Sequence, residues 1–529
     1  MAAVIPMKQA GPDPLAKEMA LLVLRAEIDR NRHIGRIHDC YKFALPWRHL
    51  ANQTQPNVQQ IDEIFDETVS STLEDFAADM LNTFTPQKNN WIEFEPKNSL
   101  ERGDQRQVED QIKRLQAFVF AEMSRSNLYQ ALQEAYLDLG PGTMCLLIQD
   151  IDPSGPIHCE AIPATDLLLL RGPFGRISGV FRKKRYLRDE INVMWPQADM
   201  AQLGPEQPEP SCQDYEVTDG CWRRWEDRGN VTYQYAVECA GKILWAPVWK
   251  GQGSCPFIPA RWSTDSTTAW GVGPTYRTLP AIKTLNHVRY LDLKTYDKHV
   301  DPVTAYEDDG VCNVDQGVES GLWIPIAPGS KAPQPIESKA HLDVAMFERD
   351  ELRSTIRRAH YQDRPEQQGK TPPTAFQWAD ERAERARRMG TPATNLVEEL
   401  QYPVVRRFMY LLAERGVLPK VMLQDLPIDM QPSSPLLRAQ EQEEVIRLDR
   451  FAEMIGTRFG PQMALVVIKV VKYAHRLADL LGIDRGLLND ETTIQKAIEQ
   501  LMPILSNFAG SGVGGEIATP PVPGPAAGV

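Results

Sequence analysis

Pro256-Phe257-Ile258-Pro259-Ala260-Arg261-Trp262, then Gly271-Val272-Gly273-Pro274, then a long run to Asp301-Pro302, is the stretch on which the fold turns. Its first seven residues are rigid and half-aromatic, suited to a buried strand edge. After Pro274 the spacing predicts a helix. Leu279, Ile282, Leu285, Leu293 and Tyr296 alternate there with Lys283, Arg289, Asp292 and Lys298. The helix should stop at His299-Val300-Asp301-Pro302, because the residue before a proline is pushed out of the helical region.

Working outward, a chain of 529 residues is too long for one core and implies several modules. At 42% hydrophobic residues it can bury sizeable cores. It shows no charged-then-apolar leader and no apolar run that spans a bilayer, so the expectation is a soluble, unsecreted protein without a membrane partner. Eight cysteines (Cys40, Cys145, Cys159, Cys212, Cys221, Cys239, Cys255, Cys312) include no CxxC pair and read as scattered reduced thiols. The net charge of −13 without a polybasic run makes the chain a poor stable binder of duplex DNA, which is gripped by clustered Lys and Arg. A conduit has the opposite need, since tight phosphate contacts would stall a sliding duplex. Many unrelated proteins are equally acidic.

Toward the N-terminus, Leu15 to about Ala44 has helical spacing, with Met19, Leu22, Leu24, Ile28, Ile34 and Ile37 on one broad apolar face, ended by Pro46-Trp47-Arg48. A second helix is predicted from about Asn57 to Phe84, stopping at Thr85-Pro86, with a short strand at Trp91-Ile92-Glu93-Phe94. Glu101 to Leu139 is helical again and closes at Gly140-Pro141-Gly142. Between 143 and 260 the pattern changes to short strands: Met144–Gln149, His158–Ile162, Gly179–Tyr186, Val231–Glu238 and Ile243–Pro247.

Toward the C-terminus, residues 301–340 are rich in Pro, Gly and acid. Seven acids (Asp301, Glu307, Asp308, Asp309, Asp315, Glu319, Glu337) face two lysines, Lys331 and Lys339. From His341 to about Tyr361 a helix carries Val344, Phe347, Leu352 and Ile356. Residues 362–373 contain no hydrophobic side chain, and such a loop cannot be buried. Thr374-Ala375-Phe376-Gln377 is a capping box opening a charged helix. Gly390 should end that helix, and Thr391-Pro392 should start the next. That one places Leu396, Leu400, Val404 and Phe408 on one face and ends at Gly416. Near-continuous helix from 374 to 416 would reach about 60 Å. Residues 434–506 are helical, with short connections at Gly456, Gly460, Gly482 and Asp484. The Gly, Pro and Ala tail 509–529 should be disordered.

The order Pro-Phe-Ile-Pro-x-Arg-Trp, Gly-x-Gly-Pro, Leu279-Pro280-Ala281-Ile282-Lys283-Thr284-Leu285-Asn286 and Asp301-Pro302 resembles the portal (head-to-tail connector) protein of short-tailed, T7-like bacteriophages. A second point of resemblance is Phe65-Asp66-Glu67-Thr68 followed by Leu81-Asn82-Thr83-Phe84-Thr85-Pro86 and Trp91. Ile162-Pro163-Ala164-Thr165-Asp166 with Gly175-Arg176-Ile177 is a third.

The resemblance implies a mainly helical α+β subunit of a ring. Residues 1–270 would be the wing, with an embedded β-rich module at 143–260. Residues 271–300 would be the first stem helix, 301–340 the clip, and 341–361 the second stem helix. A tunnel loop would span 362–373, long wing helices 374–433, and a helical crown 434–508. Arg364, Glu366, Lys370 and Thr371 of the tunnel loop would face DNA in the channel. Glu307, Asp308, Asp309, Asp315 and Glu319 would dock partners at the clip. The implied partners are about a dozen copies of the chain itself in a closed ring, double-stranded DNA passing non-specifically, the terminase large subunit, tail adaptor proteins, and capsid and scaffolding proteins. The implied location is the capsid vertex of a virion assembled in the host cytoplasm.

No motif carries catalysis. There is no GxxxxGK[ST], since Pro328-Gly329-Ser330-Lys331 lacks the first glycine, and no HExxH or GxSxG. His287, His299, His341 and His360 are dispersed and more naturally structural than ligands. Glu307-Asp308-Asp309-Gly310 lacks the alternate spacing and closing Glu of a calcium loop. The reading is therefore no enzyme, no cofactor and no metal. The alternatives are a divergent nucleic-acid-processing motor subunit and a helical capsid-assembly scaffold without a channel.

Overall fold

A computed structural model describes residues 13–51, 63–96, 105–152, 154–203, 214–225, 231–300, 304–305, 328–329, 334–335, 342–362, 388–418, 428–433, 450–455, 457–458 and 473. The chain divides into two units, 1–437 and 438–529. In the second, 450–455 and 457–458 are helical; the rest of the expected crown, and the tail 509–529, lie outside the described residues. The first unit is α+β.

Its N-terminal region is two helices where the spacing predicts one. Helix α1 (Pro14–Asn31) starts with Pro14 at its first position and with Asp13 Oδ1 accepting from the Leu15 amide at 3.0 Å. The chain breaks at Arg32-His33 and resumes as α2 (Ile34–Ala44). The break has a packing cause: α1 lies on a sheet, whereas α2 lies against the helix that begins at Pro274. The α1 face that meets the sheet is Ala16, Met19, Val23 and Ala26, so Leu24 and Ile28 of the expected apolar face point outward with Leu21. The helix ends at Ala44, just before Pro46 as the sequence predicts, and Pro46 then opens a further short one, α3 (Pro46–Ala51).

Helix α4 (Thr68–Thr83) begins about ten residues later than expected, because Asp66 Oδ1 accepts from the Thr68 amide at 3.0 Å and keeps 64–67 out of helical pairing. Strand β1 (Ile92–Pro96) follows. The helix expected over 101–139 is split into α5 (Gln105–Arg125) and α6 (Leu128–Asp138). At the break the Asn127 side chain exchanges two 2.8 Å hydrogen bonds with the backbone of Cys159. An unbroken helix would take that amide away from its strand.

Two antiparallel sheets make the β-rich module. The smaller has the order β10-β2-β3, from β2 (Thr143–Gln149), β3 (His158–Ile162) and β10 (Phe257–Arg261). β10 is therefore the edge that its sequence predicts, and Phe257, Ile258, Ala260 and Trp262 are buried. The larger sheet runs β4 (Leu167–Arg171), β5 (Ile177–Tyr186), β6 (Tyr215–Arg224), β7 (Thr232–Cys239) and β8 (Lys242–Trp245), with β9 (Val248–Lys250) also on β7. Its core is closed by α1 over Leu168, Leu170, Phe181, Trp222 and Ala236. Across it, buried Arg182 bridges Asp219 at 2.9 Å and Glu160 at 2.9 Å.

Helix α7 (Arg188–Met194) connects β5 to β6. The hairpin of interest is α8 (Pro274–Val300), the strand pair β11 (Thr304–Ala305) and β12 (Gln334–Pro335), and α9 (Leu342–Ala359). α8 ends where Pro302 dictates. Beyond it, α10 (Gly390–Leu396), a π turn (Val397–Gln401) and α11 (Tyr402–Glu414) run together. Here Gly390 starts a helix instead of ending one, and Thr391-Pro392 sits inside it. The π turn falls before Pro403, which has no amide to give the Glu399 carbonyl, so one extra residue is accommodated. Leu396, Leu400, Val404 and Phe408 are all buried, and Gly416 at φ +74 terminates the run. β13 (Ile428–Pro432) pairs with β1.

Candidate functional site

The α8–α9 hairpin is locked at its root by two glycine segments that cross backbone to backbone. Trp262 N donates to Gly142 O at 2.9 Å, Gly273 N to Pro141 O at 3.2 Å, and Thr275 N to Gly140 O at 3.0 Å. A Cβ on Gly142 would lie 2.5 Å from Gly271 O, and one on Gly273 would lie 2.2 Å from Gly140 O. Both segments therefore have to be glycine for the chains to approach. The Gly-x-Gly-Pro signal is legible in the sequence; that its counterpart is Gly140-Pro141-Gly142 is not.

Directly beyond the crossing, the two helices are joined by Thr275 and His360. His360 Nδ1 lies 2.9 Å from the Ile356 carbonyl, which can only accept, so Nδ1 carries the proton. Nε2, 2.8 Å from Thr275 Oγ1, then accepts from the hydroxyl. Burial pushes the imidazole down to about 4, so it is neutral. Phe76 stands edge-on to Trp262 at 5.3 Å, and Tyr361 lies 5.7 Å from the same indole. His360 is a structural link and not a ligand.

The Phe65-Asp66-Glu67-Thr68 motif meets this root. Asn286 on α8 accepts from Phe65 N at 2.7 Å and donates to Glu63 O at 2.9 Å, and Tyr290 packs 5.0 Å from Phe65. Arg353 on α9 donates to Asp66 at 2.6 Å. Burial alone would raise Asp66, but bonds from Thr68 and Arg353 hold its carboxyl below the ordinary value. Arg261 joins the other motif to the helical layer. Its guanidinium pairs with Glu399 in the π turn and donates to Gly175 O at 3.0 Å. Two motifs far apart in sequence thus converge on one hairpin.

Farther along, Arg349 donates to Asp292 at 2.9 Å, both buried between the helices. The outer sides differ over the middle of the hairpin, although exposed Asp297 lies on α8 and exposed Arg357 and Arg358 on α9. On α8, His287, Leu291, Lys294 and Lys298 recur at four, three and four and are exposed. On α9, Phe347 (75% exposed), Asp350 and Glu351 face away from α8. The expected apolar positions Leu293, Tyr296 and Phe347 are thus outside the hairpin, while Leu279, Ile282, Leu285 and Ile356 are inside.

Among the predicted site residues, Glu307, Asp308, Asp309, Asp315 and Glu319 lie outside the described residues, as do Arg364, Glu366, Lys370 and Thr371. What is described of 301–340 is its closure, with Thr304 opposite Pro335 and Ala305 opposite Gln334. Gln362, expected at the start of an unburied loop, is buried. It donates to Asp79 at 2.8 Å and anchors the end of α9. Among the described residues no group of His, Cys, Asp and Glu could hold a metal ion, and no helix is long and apolar enough to cross a membrane. The described cysteines are free thiols.

A two-helix hairpin is thus keyed at its root to an α+β body and exposes its outer faces. A match to the family described as Bacteriophage head to tail connecting protein runs over residues 16–488, and the chain belongs to that family. No curated protein matches it. Among solved structures, a chain from the virion of a native gene transfer agent particle is 11% identical, with 77% of this chain and 90% of that one covered and a TM-score of 0.36. A chain from the neck of the empty particle computed with C6 symmetry is 11% identical, covering 77% and 89%, with a TM-score of 0.35. One from the neck of the native particle computed with C12 symmetry is 11% identical, covering 75% and 89%, with a TM-score of 0.34.

Proposed function

We propose that this connector protein is a portal of the short-tailed phage type, in which about a dozen copies close head-to-tail into a ring around a channel for double-stranded DNA. The observation that carries the reading is the pair of outer faces on the hairpin. Asp292 opposite Arg349 sets the register, which puts Leu291 level with Asp350, and Lys294 level with Phe347. In a ring whose axis runs along the stem, neighbouring hairpins meet at equal height. Lys294 of one copy then lies within about one helical turn of Asp350 and Glu351 of the next, and Leu291 within about one turn of Phe347. Such an interface is heterologous, as ring closure requires.

In this reading the acidic 301–340 segment docks the terminase large subunit during packaging and tail adaptor proteins afterwards. Its carboxylates steer a basic partner surface. Capsid and scaffolding proteins surround the ring at the vertex of the virion, which assembles in the host cytoplasm. Arg364 and Lys370, balanced by Glu366, touch phosphates weakly, so the duplex slides yet is held against slippage. The protein's work is positional, with no reaction on a substrate.

The test is a charge swap read by sedimentation. Lys294→Glu should shift the protein toward smaller species, as should Asp350→Lys. The variant carrying both should recover the large species. Unchanged assembly in both single variants would remove the stem interface.

A further inference from the structure

The tip of the β4–β5 hairpin holds a groove that neither the stem nor the family accounts for. Phe174 stands there at φ 62 and ψ 24, a left-handed conformation that a phenylalanine rarely adopts, with its ring 97% exposed. The tip is fixed and not frayed. Gly172 N donates to Arg176 O at 2.8 Å, and buried Arg261 holds Gly175 O. A rigid backbone thus presents an aromatic ring to solvent, a placement that concentrates at binding sites.

Cavities of about 840 Å³ and 530 Å³ flank this tip. On a chain of net charge −13, their rims carry Arg25, Arg171, Arg176, Arg223 and Arg224. The facing acid is Glu18, which Arg224 and Trp222 already engage at 3.3 Å. Arg171 also feels Asp265, whereas Arg25 and Arg176 have no ion-pair partner among the described residues. Between the guanidinium groups the lining is apolar, with Leu22, Leu170, Pro173 and Ile177. Arg223 lies 4.3 Å over the exposed Trp225 ring.

We propose that this groove docks an acidic peptide segment of a partner protein, with an apolar side chain seated beside Phe174 and flanking carboxylates on the arginine forks. Charge complementarity selects an anion, and planar guanidinium forks suit carboxylates. The apolar floor distinguishes a peptide from a nucleic acid. A sugar–phosphate track has nothing to bury against Leu22, Leu170 and Ile177. The chain's overall negative charge also opposes a long polyanion more than a short segment.

The test uses the full-length protein, immobilised, and a library of short random peptides. Enriched peptides should carry Asp or Glu around a Leu or aromatic residue. They should bind at least about tenfold more weakly to Arg25→Glu with Arg176→Glu, and also more weakly to Phe174→Ala and at high salt. Thermal unfolding of these surface variants should match the parent, which separates lost binding from lost fold. No enrichment, or a consensus without acids, would overturn the proposal. So would equal binding by the arginine variant. Single-stranded oligothymidylate binding with the same arginine dependence, in place of peptide, would overturn it in favour of a nucleic-acid groove.

Discussion

Arg349 Nη1 donates to Asp292 Oδ2 at 2.9 Å inside the α8–α9 hairpin, and Arg349 Nε finds no partner among the described residues. A buried pair of this kind sets register more than it adds stability. Arg349→Met alone leaves Asp292 buried and unpaired and should destabilise by about 3–5 kcal/mol. Arg349→Met with Asp292→Leu should recover most of that loss in thermal unfolding. If the double variant were as unstable as the single one, the pair would be contributing stability in its own right.

His360 gives the root of the α8–α9 hairpin a pH dependence. Its folded pKa of about 4 lies below the ordinary 6.5, so the unfolded chain binds more protons between those values. Stability from this group is full above about pH 6.5 and is lost as pH falls toward 4, by on the order of 3 kcal/mol. Asp138 opposes it. Burial pushes its carboxyl from 3.8 up to about 6, despite the Arg48 guanidinium opposite, so its contribution falls as pH rises through that window. The quantity to measure is therefore the difference between parent and His360→Gln. The variant should lose less of its thermal midpoint on acidification; parallel curves would show that His360 does not titrate on unfolding.

Gly142 sits at φ +132 with a neighbouring backbone where its Cβ would go, whereas Gly241, at φ +81, has open space around it. Gly241→Ala should cost about 1–2 kcal/mol for backbone conformation alone. Gly142→Ala adds a clash that no side chain can relieve, and it should lower the melting temperature far more or abolish soluble expression. Equal effects at both sites would mean that the glycine crossing is looser than described.

Much of this arrangement is legible in the sequence because its signals are local. Pro302 sets the end of α8, short apolar runs between turn signals set several of the strands, and the residues around Arg261 set an edge strand. The helix breaks at Arg32 and Ser126 are not legible. Each is decided by what packs from far away in sequence, the sheet under α1 and Cys159 for Asn127. Periodicity reads which residues are apolar but not what covers them. Hence Leu24, Ile28 and Phe347 look like core positions and turn out to face outward. The groove at Phe174 carries no sequence signal, since its arginines come from α1, two strand ends and a turn.

On the proposed function, residues 363–373 act in retention of DNA. Deleting 365–371 should permit ring assembly and initial packaging but impair retention of packaged genomes, measured as the DNA content of purified particles. Charge reversal at Glu307, Asp308 and Asp309 should instead weaken partner binding and leave assembly intact. Full genomes in the deletion particles would remove the channel role of Arg364 and Lys370.

Electron microscopy of the purified full-length protein shows whether the chain closes into a ring. The expected result is closed rings of about a dozen subunits, with an axial opening wide enough for duplex DNA and the α8–α9 hairpins lining it. Monomers at micromolar concentration under several salt conditions, or closed particles without a central opening, would contradict it.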